Sequence, residues 1–187
     1  LFLLHGRQDA SIPWENNPAF YKALDEARQG YMAYWDDGKH DTAGADAPED
    51  VKAWRGGQLL SKFSLDQSFP AFSNCSANRN PGNGDKSNGD TVGWMNRGMT
   101  WEGIEDDASH YAITIKASYP GVQYPVIVDF TPRRLQKFKP SPGESLPVSI
   151  QGLGSGSAIV DNQGLFTVKQ VSIPSGEGVG VVISKAK

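Results

Sequence analysis

Leu1-Phe2-Leu3-Leu4-His5-Gly6-Arg7-Gln8-Asp9 is the stretch on which the reading of the fold turns. A short apolar run breaks at His5-Gly6 and delivers an acid, the pattern of a buried strand that ends in a functional loop. Gly30-Tyr31-Met32-Ala33-Tyr34-Trp35 reads as the next strand, and the polar segment after it leads to His40. Asn17 to Arg28, between them, reads as a helix. The result is a strand–helix–strand unit with an acid after one strand and a histidine after the next. Asp9 and His40 are therefore the candidate orienting carboxylate and general base of a hydrolytic triad. The competing reading is an Asp that closes a turn and a histidine in a solvated Asp/Gly loop.

His5-Gly6-Arg7-Gln8-Asp9-Ala10-Ser11-Ile12-Pro13 resembles the segment of α/β-hydrolases that carries the triad acid, especially in prolyl-oligopeptidase-like and secreted esterase-like members. Gly38-Lys39-His40 is similar to the Gly-His that carries the base in that family. The resemblance covers about the first sixty residues. It implies a triad ordered Ser, Asp, His along the chain, Asp9 and His40 as the last two members, and no cofactor. Trp14, after Pro13, is the candidate wall of the acyl or leaving-group pocket. The family's Gly-x-Ser-x-Gly elbow has no counterpart here. Gly152-Leu153-Gly154-Ser155-Gly156 carries its serine out of register. The chain is expected to be the C-terminal portion of a longer secreted or extracellular hydrolase. An upstream segment or second chain would then complete the sheet by pairing with residues 1–4.

Eighteen Lys and Arg against twenty-one Asp and Glu leave a net charge of −3, which excludes an electrostatic nucleic-acid binder. No apolar run approaches membrane-spanning length. The lone Cys75 excludes an intrachain disulfide and a cysteine-rich zinc site, and reads as a small buried residue.

Three zones follow from composition. Residues 1–62 carry the strand–helix–strand pattern and a second helix over Pro48 to Leu60, and the resemblance implies that they are the C-terminal part of an α/β-hydrolase domain. Residues 63–91 read as a linker, first an aromatic connector and then a Gly/Asn-rich stretch. Residues 92–187 read as all-β, with strands at Tyr111–Ala117, Val126–Thr131, Leu135–Phe138, Leu146–Ile150, Ser157–Val160, Leu165–Val171 and Val179–Ile183. The expected fold class is α/β plus all-β: a partial α/β-hydrolase sheet followed by an antiparallel fibronectin-like or immunoglobulin-like β-sandwich that folds as its own unit. The segment 128–140 and the connector 68–76 are also similar to the C-terminal β-module of some secreted bacterial hydrolases.

The remaining chemistry-bearing residues have mostly structural readings. Asp36, Asp37 and Asp41 belong to a solvated loop, with Asp37 the second choice of acid. His5 is structural. His110 has nearby acids but no zinc spacing with the other two histidines. The loop 78–90 offers oxygens that suit calcium, but it reads first as a mobile solvated linker. Asn74-Cys75-Ser76 is a formal glycosylation sequon. Trp94, Trp101, Tyr119 and Tyr124 are core aromatics, or else a platform for a polymer.

The leading functional expectation is a serine hydrolase, esterase or peptidase, acting on a small ester, peptide or polymer. The alternative is a non-catalytic binding or adhesion module whose β-sandwich holds a polysaccharide, polymer or protein.

Overall fold

The computed structural model describes residues 1–55 and 62–185. It opens with the anticipated unit. Strand β1 (Phe2–Gly6) and strand β2 (Met32–Asp36) run parallel, with Leu4 opposite Tyr34 and Gly6 opposite Asp36, and helix α1 (Asn17–Glu26) connects them. A 3₁₀ turn over Trp14–Asn16 precedes α1, and Pro18 stands in its first turn, where a missing N–H is harmless.

The alternation along β2 makes this sheet a partition. Successive side chains of a strand point to opposite faces. Met32 and Tyr34 enter one core, and Ala33 and Trp35 enter another. Tyr21 and Leu24 of α1 cover the smaller core together with Trp14. Ala47 and the second helix, α2 (Glu49–Arg55), bring Val51 and Trp54 to the larger one.

The rest of the chain is antiparallel. Strand β3 (Phe69–Ser73) pairs with β7 (Val126–Arg133), which pairs with β10 (Val168–Ile173). Strand β4 (Gly93–Met95) pairs with β2. A five-stranded sheet runs in the order β5 (Met99–Asp106), β6 (His110–Ala117), β11 (Val179–Ser184), β8 (Ser145–Ile150), β9 (Gly154–Ile159). Burial follows the two-residue period: Tyr111, Ile113, Ile115 and Ala117 of β6 are buried, and the residues between them are half-exposed. Phe130 and Ile173 from the three-stranded sheet share the larger core with Ile115 and Val181 from the five-stranded sheet, and with Met32 and Trp54.

The expected fold class, α/β plus all-β with a partial α/β-hydrolase sheet, does not hold. Strands take 37% of the described residues and helices 11%, which makes the structure mostly β. Among the described residues the strands form three sheets and there are two α-helices. The first sheet has one parallel pair and an antiparallel third strand, β4, from beyond residue 91. Other expectations also change. Phe69–Ser73, read as a connector, is strand β3. Leu135–Phe138 is not a strand, because the Asp106 carboxylate accepts the N–H groups of Gln136, Lys137 and Phe138 at 2.6, 3.0 and 2.7 Å. Helix α2 is described to Arg55; the remainder of the expected helix, 56–60, lies outside the described residues.

Candidate active site

The two strand-end loops after β1 and β2 are zipped together by their backbones. The Arg7 N–H donates to the Asp36 carbonyl (2.8 Å) and the Gln8 N–H to the Gly38 carbonyl (2.9 Å). The loops approach so closely that a Cβ on Gly6 would stand 2.8 Å from the Lys39 oxygen. Asp36 shapes the far loop, accepting the N–H groups of Gly38 (2.9 Å) and Gly44 (2.8 Å). Asp9 and His40 are brought together by this joint.

Asp9 Oδ2 lies 2.9 Å from His40 Nδ1. The other oxygen, Oδ1, accepts the N–H groups of Ser11 (2.7 Å) and Ile12 (2.9 Å), and the residue is buried. Burial pushes the Asp9 carboxyl up. The hydrogen bonds from Ile12, His40 and Ser11 and the charge of His40 outweigh it, so the net displacement is downward. An ionised carboxylate only accepts, so His40 Nδ1 is the donor of this contact, which leaves Nε2 as the lone-pair nitrogen whenever the ring is neutral. The His40 side chain is 59% exposed, and among the described residues Nε2 has no hydrogen-bond partner. The carboxylate thus orients the ring, and the arrangement could present Nε2 as a base.

Asp37, the second choice of acid, instead accepts a hydrogen bond from Gln8 Nε2 at 2.9 Å. His5 faces the smaller core: Nδ1 lies 2.6 Å from the Tyr21 hydroxyl and the rings stack. Burial holds His5 below the ordinary histidine range, against the opposing pull of Asp9.

Trp14 does not line a pocket. Its side chain is fully enclosed, packed on Trp35 and Tyr21 with ring centroids at 5.7 and 6.4 Å. The turn after Pro13 folds the indole inward, under the loop, and leaves Ile12 exposed instead.

Arg7 is the residue that sequence reasoning passed over. It is buried, and its guanidinium donates to the carbonyls of Asp90 (2.6 Å), Asn88 (3.1 Å) and Lys86, while stacking over Trp14. Trp35 Nε1 donates to the same Asp90 carbonyl at 2.8 Å. The loop 78–90 is therefore latched beneath the site rather than hanging as a solvated linker, and the carbonyls of residues 86, 88 and 90 already face a cation.

No group of three or more His, Cys, Asp or Glu side chains is arranged to hold a metal among the described residues. His110 lies between Asp107 (2.8 Å) and Glu105 (3.2 Å). Cys75 is buried, and burial raises its thiol to about 11. Asn74 of the sequon donates from Nδ2 to Asp129 at 2.9 Å. Ser155 lies within strand β9, opposite Ser149, and not on a sharp turn. The aromatics divide: Trp101 is core, against Phe63 and Phe72, whereas Trp94, Tyr119 and Tyr124 border a surface cleft. No helix among the described residues is long and apolar enough to cross a membrane. No family model, curated protein or solved structure matches the chain.

Proposed function

We propose that this chain supplies the general base and the orienting acid of a secreted serine-type acyl hydrolase, an esterase or peptidase. In this reading the nucleophile comes from a segment outside these 187 residues. The observation that carries it is the Asp9 Oδ2–His40 Nδ1 contact at 2.9 Å, with Oδ1 fixed by two backbone N–H groups and Nε2 left open. The Ser11 and Ile12 N–H groups hold the carboxylate where it can orient the ring and stabilise its charged form. A serine hydroxyl reaching Nε2 would lose its proton to His40 as Oγ attacks the acyl carbon. The imidazolium, stabilised by Asp9, would return that proton to the leaving group. A water activated by the same nitrogen would then release the acid. No cofactor takes part.

The partner in this proposal is an upstream hydrolase segment or a second chain. Among the described residues strand β1 stands at the edge of its sheet, and an edge strand offers a row of N–H and C=O groups to another strand. The substrate class is an ester, peptide or polymer small enough at its reacting end to approach an exposed imidazole.

The test is fluorophosphonate labelling of the protein purified from its source, followed by peptide mapping. The labelled serine should lie outside these 187 residues, and labelling should vanish in His40→Ala. A labelled serine within the 187 residues, or hydrolysis without any labelled serine, overturns the proposal.

A further inference from the structure

The turn around Ser76–Arg79, the end of β4 and the loop Tyr119–Pro125 enclose a cleft of about 520 Å³, within the range of small-ligand sites. It shares no residue with the Asp9–His40 pair. Trp94 and Tyr119 form its corner, with ring centroids 5.7 Å apart and planes at 68°. Both aromatic walls are held rigid: Trp94 Nε1 donates to the Ala77 carbonyl (2.9 Å), and the Tyr124 hydroxyl donates to the Ala117 carbonyl (2.6 Å).

Two arginines meet this corner, and they are not equivalent. Arg97 lies 4.6 Å from the Trp94 ring and 4.7 Å from the Tyr119 ring, is buried, and is neutralised by a two-pronged pair with Asp50 at 2.7 and 2.8 Å. Arg79 lies 4.9 Å from the Trp94 ring, is exposed, and has no carboxylate within ion-pair distance among the described residues. No acidic side chain lines the cleft; its other polar side chains are Ser76, Asn78 and Gln123. It therefore presents one cation with no carboxylate partner among the described residues, stacked on Trp94, beside the exposed ring of Tyr124.

The backbone of the walls is already engaged. The N–H groups of Ser76, Asn78, Arg79 and Val122 donate to carbonyls of the chain itself, which leaves these four unavailable to a ligand. A ring with one apolar face, several hydroxyls and a carboxylate uses what remains. The apolar face lies on Tyr124, the hydroxyls meet the Asn78 amide N–H groups and the Gln123 side-chain oxygen, and the carboxylate meets the guanidinium fork. The Asn78 oxygen already accepts the Asn96 N–H (2.6 Å), and the Gln123 amide already donates to the Gly121 carbonyl (3.3 Å).

We propose that this cleft binds a sugar acid, a uronate residue of an acidic polysaccharide, with Arg79 as its carboxylate anchor. The experiment is titration of the full chain with tri-galacturonate, neutral galactotriose and hexaglutamate, read by calorimetry and by tryptophan fluorescence. Tri-galacturonate should bind saturably, at least tenfold more tightly than either other probe, and more weakly as salt is raised. Arg79→Gln should lower that affinity at least tenfold while leaving the thermal transition in place, because the side chain is exposed. Tyr124→Ala should weaken binding without abolishing the preference for the acid. Equal binding of the neutral trisaccharide, equal binding of hexaglutamate, an unaltered affinity in Arg79→Gln, or no binding of tri-galacturonate would each overturn the assignment.

Discussion

Gly6 and Gly38 lie against each other where the two strand-end loops join, and that contact decides whether Asp9 reaches His40. A Cβ on Gly6 would come within 2.7 Å of the Gly38 carbonyl carbon and 2.8 Å of the Lys39 oxygen. Both are backbone atoms that cannot swing aside. Gly6→Ala should therefore push the His40 loop away and destabilise the protein by about 1–3 kcal/mol, the usual range for overpacking. Chemical denaturation measures the loss. An NMR spectrum in which the His40 ring signals keep their positions would show that the joint does not set the site.

The Asp9 carboxyl should titrate below the ordinary aspartate range. An acid depressed in the folded state adds stability above its unfolded pKa, and that stability is lost as pH falls through the folded value. Wild type should thus lose stability on acidification more steeply than Asp9→Asn. Carboxyl-carbon NMR should show that Asp9 remains partly depressed in His40→Ala, because the Ser11 and Ile12 N–H groups still bind Oδ1. A return to the ordinary value in that variant would assign the whole effect to the histidine.

Asp25 behaves in the opposite sense. Burial, reinforced by the Asp129 charge, raises its carboxyl to about 6 despite hydrogen bonds from the Tyr31 hydroxyl and the Asn74 N–H. A raised acid adds stability below its unfolded pKa and loses it as pH climbs through the folded value. Asp25→Asn should raise the melting temperature at pH 7 to 8 and leave it nearly unchanged at pH 4. Allowing for the solvent that reaches this side chain, the gain should be about 1 kcal/mol or less, roughly 2–4 °C or less for a chain of this size. Equal shifts at both pH values would contradict the assignment.

Trp14 should act as a core residue and not as a specificity residue. Trp14→Ala removes an enclosed indole and should cost about 3–5 kcal/mol. Trp14→Phe should cost much less, because the buried Trp14 Nε1 has no hydrogen-bond partner among the described residues. Thermal melts of the two variants distinguish this from a pocket wall, for which truncation to alanine would leave stability nearly intact.

The parts legible in the sequence are those set by short-range pattern. The apolar run 1–4, the helical stretch after Pro18 and the alternation of β6 each fix their own geometry. The Asp9–His40 pairing followed from loops at neighbouring ends of two parallel strands. What escaped depended on distant partners. Strand β3 contains Pro70, which marks a strand as an edge or not a strand; it is indeed at a sheet edge, paired only with β7 among the described residues. Strand β4 has three residues and is visible only through β2. Arg7 acts on carbonyls about eighty residues away, and no local signal encodes that. Trp14 was misread because adjacency to an acid loop says nothing of which way an indole turns.

In the proposed function Asp9 and His40 form the acid–base half of a site whose nucleophile lies elsewhere. The most direct measurement is p-nitrophenyl ester hydrolysis by the purified 187-residue chain and by its His40→Ala variant. An oriented imidazole without a serine retains base chemistry but has no acyl-enzyme route, so both proteins should stay equally close to background. Robust turnover that disappears in His40→Ala would place the nucleophile within this chain, at Ser11, Ser155 or His40 itself, and would contradict the account.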